Sequence, residues 1–493
     1  MSKPPPRLQA RSPRGFQDLS GHAVRARTKM IATIREVYDR YGFEPLETPA
    51  LEYVDALGKF LPEQDRPDEG IFALKDTDEQ WIALRYDLTA PLSRFVAQMG
   101  QDLVLPYRRY QVGSVWRNEK PGPGRFREFT QFDIDTIGTA SPAADAENCA
   151  VLAEALEALG LKRGEFIVKI NTRRLLDGVM ERIGLQPGSA DPQSLCVLRA
   201  IDKFDRVGIE GVRLLLTSGR KDESGDFTKG AGLSAQAADI VLDFMQAGQA
   251  SRGETLSALA RAVANAPSGR AGLDELEAID RILANLGIDE GRAIFDPGIV
   301  RGLAYYTGAV LEAAITIEIT DDEGRRRQIG SVAGGGRYDG LISRFTGTDI
   351  PATGVSIGVD RLMTALSLAG RIGASQAEGP VVVTVFDKSR MADYQRIAAE
   401  LRAAGIRAEV FLGEGGLKAQ LRYADRRGAP VAVIAGGDEF AAGTVSLKDL
   451  IAGRALSAEV AGNEQWREKS RAQVTVPRGE LVAQVKAILQ PPA

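Results

Sequence analysis

Hydrophobic positions recur with the spacing of a helix in some parts of this 493-residue chain and with that of a strand in others. Between residues 22 and 41, the side chains of Met30, Ile34 and Val37 share one helical face, and Gly42 follows as a stop. This stretch therefore predicts an amphipathic helix. The segment after it carries two prolines and is predicted to be extended.

Longer stretches of the chain differ in their pattern and indicate separate modules. Residues 81–138 alternate with period two and predict an antiparallel sheet. Residues 186–295 hold helical runs joined by polar, glycine-rich segments, which indicates an inserted helical module. Strand-like segments return at 299–320. We therefore predict a first domain over 1–375 that contains the insertion, and a second domain over 376–493, where the pattern alternates as β-α-β-α-β.

The composition is that of an ordinary globular protein, with 44% hydrophobic and 26% charged residues. No run approaches the roughly 18 apolar residues that a membrane helix needs, so no membrane partner is expected. The net charge of −4 provides no overall positive field for a nucleic acid. Two cysteines, Cys149 and Cys196, are too few for a disulfide framework and favour the reducing cytoplasm.

The sequence holds a single histidine, His22, which restricts the chemistry that the protein can perform. This disfavours histidine-based triads and multi-histidine metal sites, so arginines, carboxylates and backbone groups are expected to carry any reaction. Neither a Walker A loop nor a Rossmann glycine pattern is present. The glycine cluster at 333–340 leaves two alternatives open, a tight turn or a backbone that closely approaches a ligand.

The segment 107–138 carries the richest chemistry. Two period-two runs flank a turn of prolines and glycines, so it is predicted to be a long antiparallel hairpin. On the return strand, two-residue spacing places Gln131, Asp133 and Asp135 on one face. Arginines at one end and carboxylates at the other could bind a zwitterion beside a polyphosphate, although a merely solvated, charged hairpin is the open alternative. The basic residues are Arg108, Arg109, Arg117, Lys120, Arg125 and Arg127, against the single acid Glu119.

Three further segments add to this chemistry. Residues 84–92 place Asp87 and Thr89 on a common face. Residues 301–308 combine an arginine with two adjacent tyrosines. Arg361 is predicted to lie in the first turn of a helix, where it would strengthen a phosphate site.

These segments resemble, in order, the motifs of the histidyl-tRNA synthetases, and the resemblance runs along nearly the whole chain. The first, second and third motifs of class II synthetases are similar to EPLETPALEY, WRNEKPGPGRFREFTQFDID and GVSIGVDRL. The signatures of the histidine enzyme are similar to RYDLT, RGLAYYTG and GGGRYDG. The resemblance implies an α+β catalytic domain, in which helices flank the class II antiparallel sheet, with a helical insertion and a C-terminal α/β anticodon-binding domain.

The resemblance also implies roles for individual residues. Arg301 and Arg117 would be catalytic, and the protein would activate histidine with ATP, accompanied by Mg²⁺, and transfer it to tRNA(His). It would act as a cytoplasmic homodimer without a membrane or DNA partner, and no protein side chain is assigned to a metal. Histidine would be bound by Asp87, Leu88, Thr89, Arg117, Gln131, Asp135, Arg301, Tyr305, Tyr306 and Tyr338. ATP would be bound by Arg117, Glu119, Arg125, Phe129 and Arg361.

Some positions depart from the family's bacterial members. Asp87 and Asp135 stand where many of them carry glutamate, and Ala304 replaces a common aspartate. The main alternative is the non-catalytic, synthetase-like regulatory subunit of ATP phosphoribosyltransferase, and a class II synthetase for threonine, proline or glycine is a lesser one. The ATP-site arginines and the C-terminal α/β pattern disfavour the first, and the signature at 301–308 disfavours the second.

Overall fold

The chain forms two compact units, Met1–Ile372 and Gly373–Ala493. The computed structural model describes residues 8–58, 60–61, 66–122, 125–188, 191–221, 225–300, 302, 305–320, 326–371, 379–453 and 473–490. The predicted boundary between 375 and 376 therefore lies outside the described residues. Among the helices that are described, none is long and apolar enough to cross a membrane.

The helices of the first unit are α1 (Gly21–Arg40), α2 (Thr89–Met99), α3 (Pro142–Ala158), α4 (Arg173–Arg182), α5 (Pro192–Ile201), α6 (Phe204–Leu216), α7 (Ala235–Met245), α8 (Arg252–Ala262), α9 (Pro267–Asn285), α10 (Ser343–Thr346) and α11 (Val359–Leu368). Its strands are β1 (Glu44–Pro45), β2 (Leu51–Tyr53), β3 (Phe60–Leu61), β4 (Arg66–Pro67), β5 (Ala73–Lys75), β6 (Trp81–Leu84), β7 (Tyr107–Trp116), β8 (Glu128–Ile137), β9 (Phe166–Thr172), β10 (Gly219–Lys221), β11 (Phe227–Lys229), β12 (Ala293–Phe295), β13 (Ala309–Thr320), β14 (Arg326–Arg337) and β15 (Ala352–Gly358).

The main sheet has eight strands in the described residues, in the order β1-β7-β8-β15-β14-β13-β9-β12. Its centre, from β7 to β9, is antiparallel, and only the two edge strands pair in parallel. Smaller sheets form from β2-β6-β5, β3-β4 and β10-β11. The predicted antiparallel sheet is therefore confirmed, and the helices α5 to α9 occupy the stretch predicted as a helical insertion.

The predicted helix over 22–41 is confirmed as α1, which covers one face of the sheet. Its Tyr38 is fully buried against Phe132 of β8, with the ring centroids 4.7 Å apart. Because side chains alternate along a strand, the same register that buries Phe132 and Ile134 in this core turns their neighbours to the opposite face. The alternation predicted for the return strand is thus confirmed.

Two sequence-based predictions were wrong in detail, and one open question is answered. The period-two pattern predicted over 81–138 is interrupted by α2, because the Asp87 carboxylate accepts the backbone N–H groups of Thr89 and Ala90 and starts a helix. The glycine cluster at 333–340 belongs to β14 as far as Arg337, and a turn follows at 339–340. The strand predicted from residue 299 begins only at Ala309.

The glycine-rich end of β14 is anchored by a buried ion pair. The Arg337 guanidinium lies 2.6 Å from Asp145 of α3, and both side chains are almost fully buried. Arg337 also donates to the carbonyls of Thr139 and Ser141, and Asp145 accepts from the Thr353 hydroxyl at 2.6 Å. These bonds fix α3 against β14 and β15 and satisfy the buried charges with several partners.

The second unit contains α12 (Met391–Ala403), α13 (Leu417–Arg426), α14 (Gly437–Ala442) and α15 (Leu481–Leu489), with β16 (Val381–Val383), β17 (Ala408–Val410), β18 (Val431–Ile434), β19 (Thr444–Asp449) and β20 (Gln473–Pro477). Its strands are ordered β17-β16-β18-β19-β20, and the first three are parallel. The predicted β-α-β-α-β alternation is confirmed. Buried Gln420 bonds both backbone groups of Val385 and so fixes the chain where it leaves β16.

Asp145→Asn should destabilise the first unit, because Arg337 would lose its buried counterion and keep only the longer contact with Asp339 at 3.6 Å. Breaking such a pair costs about 3–5 kcal/mol. Asp274→Asn is the matched control, since its pair with Arg270 is exposed and worth at most about 1 kcal/mol. Thermal unfolding of both variants measures the difference, and equal Tm values would contradict the anchoring role.

Candidate active site

A cavity of about 930 Å³ opens in the first unit on the face of the sheet opposite α1 and is lined by strands β8, β14 and β15. Residues from the start of α2, the ends of the β7-β8 hairpin and the start of α11 complete its wall. It gathers Asp87, Thr89, Arg117, Glu119, Arg125, Phe129, Gln131, Asp135, Tyr305, Tyr306, Tyr338 and Arg361, all predicted from the sequence as site residues.

The floor of this cavity consists of hydrogen-bond acceptors on β8. Gln131, Asp133 and Asp135 all line it, and the three residues are only 9%, 2% and 3% exposed. Their two-residue spacing puts them on one face of the strand, as the sequence predicts. Such a floor favours a ligand that brings N–H groups or a positive charge.

Arg109 holds Asp135 in place from the neighbouring strand. Its side chain is fully buried on β7, directly opposite Asp135 in the strand register, and the two groups are 2.7 Å apart. The Tyr338 hydroxyl donates to the other carboxylate oxygen of Asp135. Burial raises the pKa of Tyr338 well above its ordinary value, so the phenol remains a donor. Burial raises the pKa of Asp135 as well, whereas Arg109 and Tyr338 oppose that effect, and these two partners fix its carboxyl group in place.

The predicted residue Leu88 is not part of the cavity wall. Its side chain is fully buried, and its backbone carbonyl accepts from Arg109 at 3.0 Å. That bond ties the start of α2, with Asp87 and Thr89, to the buried arginine. Leu88 thus serves the site through its backbone.

Ser356 links two of the floor residues. It lies opposite Asp133 in the register of β15 with β8, and its hydroxyl accepts from the Gln131 amide nitrogen at 2.7 Å. It also hydrogen-bonds the carboxylate of Asp133. Burial raises the pKa of Asp133 to about 7, with Asp135 adding to the effect and Arg109 opposing it.

The two adjacent tyrosines stand at the side of the cavity, with their ring centroids 4.3 Å apart. Gly302 begins this turn with φ of +62°, and its carbonyl accepts the N–H groups of both Tyr305 and Tyr306. A Cβ atom at Gly302 would collide with the Tyr306 ring, so the turn requires glycine. Arg301 and Ala304 lie outside the described residues.

The opposite wall carries cations and an aromatic ring. The Arg117 guanidinium lies 5.1 Å from the centre of the Phe129 ring, and its Nε donates to the Tyr86 carbonyl at 3.1 Å. Arg361 lines the cavity from the first turn of α11, as predicted. Next to it, Asp360 accepts the Thr130 N–H at 2.5 Å and fixes the start of this helix to β8. This wall offers an anion site and a stacking surface beside it.

The cavity therefore has an acceptor-rich floor and a cationic wall. In the residues that the structure describes, no group of three histidine, cysteine or carboxylate side chains could hold a metal ion. The arrangement suits a ligand pair in which one member brings a cation and the other brings phosphates.

Comparison with known proteins gives this arrangement a family. Residues 15–362 match the model of the histidyl-tRNA synthetases, and residues 380–488 match that of an anticodon-binding domain. The chain belongs to the histidyl-tRNA synthetase family.

Curated relatives support the same assignment over the whole chain. The histidine–tRNA ligase of Rhizobium rhizogenes is 56% identical over 99% of this chain and 97% of its own length. That of Paracoccus denitrificans is also 56% identical and covers 99% of both chains. The crystal structure of histidyl-tRNA synthetase from a Nostoc species is 30% identical, with a TM-score of 0.74 over 98% of this chain and 100% of its own.

More distant structures share the fold. A Bacillus halodurans structure titled ATP phosphoribosyltransferase regulatory subunit/histidyl-tRNA synthetase is 22% identical, with a TM-score of 0.66 over 85% of this chain and 97% of its own. The class II fold predicted from the sequence, with its C-terminal anticodon-binding domain, is therefore confirmed.

Sequence reasoning gave no role to three residues of this synthetase site, Arg109, Ser356 and Asn171. Arg109 and Ser356 lie directly across from floor carboxylates, so the strand register is the signal that would have identified them. Asn171 is buried on β9, and its amide donates to the carbonyls of Pro297 and Ile299. It thereby holds the chain just before the signature at 301–308.

The raised pKa of Asp133 predicts a dependence of stability on pH. The folded protein retains a proton on this carboxyl group that the unfolded chain has lost above about pH 4. The contribution of this proton to the free energy of unfolding is therefore fully present below about pH 4. It is lost as the pH rises through about 7. Asp133→Asn stays neutral and avoids this loss, so it should stabilise the protein more at pH 8 than at pH 5.

The difference between the two pH values should be on the order of 3 kcal/mol, since one pKa unit corresponds to about 1.4 kcal/mol. Thermal unfolding of variant and wild type at both pH values measures it. Asp78→Asn, at an exposed position of the same unit, is the control. A constant Tm difference between Asp133→Asn and the wild type would show that Asp133 ionises normally.

Proposed function

We propose that this chain is a histidine–tRNA ligase that forms histidyl-adenylate in the described cavity and then transfers histidine to the 3′ end of tRNA(His). Family membership and full-length relatives with this activity support the function. The observation that carries the placement is the pairing of an acceptor floor with an arginine wall in one cavity. Histidine brings the N–H groups, and ATP brings the phosphates.

Histidine would lie over β8. Its ammonium and imidazole N–H groups need acceptors, and the floor residues together with Asp87 and Thr89 supply them. Tyr305, Tyr306 and Tyr338 would enclose the imidazole ring. Since Asp135 is already fixed by Arg109 and Tyr338, it would not need to reorganise when the substrate arrives.

ATP would lie along the cationic wall. Phe129 would stack on the adenine, with Arg117 and Arg361 on the phosphates. Glu119 and Arg125, at the open end of the hairpin, would assist near the adenine and the outer phosphates. Guanidinium groups suit this role because their planar donors bind two phosphate oxygens at once.

The activation step needs electrostatic help more than proton transfer. An ionised carboxylate must approach a polyanion, and arginines offset the repulsion and stabilise the charge that grows at the α-phosphate. In the second step the terminal ribose hydroxyl of the tRNA attacks the adenylate. With no active-site histidine available, we infer that a phosphate oxygen of the adenylate accepts its proton.

We expect Mg²⁺ to enter with ATP, where it would neutralise part of the charge of the phosphates. An ion of this kind retains several waters and needs only one or two protein carboxylates, so a cluster of three is not required. Glu312 of β13, which lines the cavity, fits such a contact. The ion therefore counts as part of the substrate rather than as a resident metal.

The regulatory-subunit alternative is disfavoured. At 22% identity, the similarity to the Bacillus halodurans structure supports only a shared fold. The full-length relatives at 54–56% identity are ligases. Arg117 and Arg361 line the cavity, and an anticodon-binding domain is present. A regulator that only senses histidine needs neither.

Both cysteines are free, which suits the cytoplasm as the place of action.

Histidine-dependent exchange of pyrophosphate into ATP tests the proposal. The purified protein should catalyse it with histidine and with no other amino acid. Arg301→Ala, whose role rests on the sequence signature, should reduce exchange by about 100-fold or more, in line with the loss of about 3–4 kcal/mol of transition-state stabilisation. Histidine binding measured by calorimetry should change much less.

Arg270→Ala is the matched control, because this arginine is exposed on α9 and pairs with Asp274 and Glu277 of the same helix. It should exchange at the wild-type rate. Binding of histidine without any exchange in the wild type would favour the regulatory alternative instead. Equal loss of binding and exchange in Arg301→Ala would refute its assignment to the α-phosphate.

We also propose a homodimer that forms through the small sheet β2-β6-β5. Leu51 and Tyr53 lie on one face of β2 and are 43% and 54% exposed, and Leu74 of β5 is 50% exposed. Tyr53 and Leu74 both oppose Ile82 in register, so they share that face. An apolar face of this kind on a first-motif strand suits contact with a second copy.

Tyr53→Arg should therefore weaken the dimer, because it places a charge in the apolar contact. Sedimentation velocity over a range of concentrations should show a monomer fraction that the wild type lacks. Leu286→Arg, at a 53% exposed position in the helical module, is the control and should leave the mass unchanged. A wild-type monomer at every concentration would refute the homodimer.

A further inference from the structure

The floor of the cavity contains a short chain of hydrogen bonds in which each donor can be assigned. Asp133 is buried and lies directly opposite Ser356 in the register of β8 with β15, where its carboxyl group bonds the Ser356 hydroxyl. The same hydroxyl lies 2.7 Å from the Gln131 amide nitrogen. The chain of bonds thus runs through three side chains on two adjacent strands.

The direction of these bonds follows from the chemistry of the groups. Above its pKa of about 7, Asp133 is a carboxylate and can only accept, so the one hydroxyl proton of Ser356 then points to Asp133. The serine oxygen is then left as an acceptor, and Gln131 must turn its NH₂ group towards it. The amide oxygen of Gln131 is thereby directed away from Ser356, and no side chain or backbone group in the described residues bonds it.

Such an oxygen is suited to a ligand cation. Buried polar atoms normally have partners, so an amide oxygen without one at a cavity floor indicates a bond completed by the ligand. The amino group of histidine is charged at neutral pH, whereas its imidazole is mostly neutral. A nearby buried carboxylate adds to the attraction for the charged group rather than for the ring.

We propose that Asp133 and Ser356 are positioning residues of the histidine site that set the orientation of Gln131, so that its amide oxygen accepts from the amino group of histidine. The inference rests on the proposed function of the cavity and adds two residues to it. Without the carboxylate, the serine proton could turn to the Gln131 oxygen. The amide would then present NH₂ donors to the ammonium, which repels them.

Pyrophosphate exchange separates this role from a structural one. At pH 8, where Asp133 is ionised, Asp133→Asn and Ser356→Ala should each raise the KM for histidine by about tenfold or more, the usual effect of losing a hydrogen bond to a charged group. The KM for ATP should stay at the wild-type value, because the residues proposed to bind the nucleotide are different ones. Ser356→Thr keeps a hydroxyl and should restore the affinity for histidine.

Two further measurements make the test specific. The double variant should be no worse than the poorer single variant, because both substitutions break one chain of bonds. Inhibition by histidinol, which has the amino group, should weaken in parallel with the KM for histidine. Inhibition by imidazole-propionic acid, which lacks that group, should not change. Ser257→Ala, an exposed serine in α8, is the control for the substitution itself.

The outcomes distinguish the two proposals. Absence of exchange in the wild type with histidine would refute the proposed function. Normal exchange in the wild type, with an unchanged KM for histidine in Asp133→Asn and Ser356→Ala, would overturn the positioning role alone. Equal weakening of both inhibitors would mean that the pair shapes the whole pocket and does not direct Gln131 to the amino group.

Discussion

The buried guanidinium of Arg109 is the constraint around which the floor of the site is organised. A buried charge needs partners that replace its hydration. Arg109 has an ion pair with Asp135 on the next strand and a hydrogen bond to the Leu88 carbonyl before α2. Asp135 in turn accepts from Tyr338 at the end of the glycine-rich strand. One unavoidable electrostatic requirement therefore joins the hairpin, the start of α2 and the glycine-rich signature into a rigid set of acceptors.

Close packing of the strands extends this constraint to the glycines. A Cβ atom at Gly354 would collide with the carboxylate of Asp135, and one at Gly335 would collide with the Gly354 carbonyl. The glycines of β14 and β15 thus leave the space in which the buried acid stands. They also lie at the cavity surface, so the same absence of side chains lets a ligand approach the backbone. Of the two alternatives that the sequence left open for this cluster, its place along the cavity supports the close approach of backbone to a ligand.

Local periodicity was enough to predict α1, the alternation of β8 and the pattern of the second unit, because each depends on neighbours a few residues apart. It failed at α2, where the cap from Asp87 outweighs a two-residue pattern. It could not identify Arg109 or Ser356, since their roles depend on which residues oppose each other across strands. Register is fixed by turn geometry and by burial of a whole face, and neither can be read from residue types alone.

The sorting of charge within the cavity explains how a chain with a net charge of −4 can bind a polyanion. The acceptors are confined to β8 and the start of α2, while Arg117 and Arg361 reach the opposite wall from the hairpin and from α11. Hydrogen bonds to backbone groups hold both parts of this wall. Arg117 donates to the Tyr86 carbonyl, and Asp360, next to Arg361, accepts from the Thr130 N–H. Because the donors and acceptors are already in place, they can offset the repulsion between a carboxylate and a triphosphate without a rearrangement of the side chains. A site of this kind can therefore work with no histidine of its own.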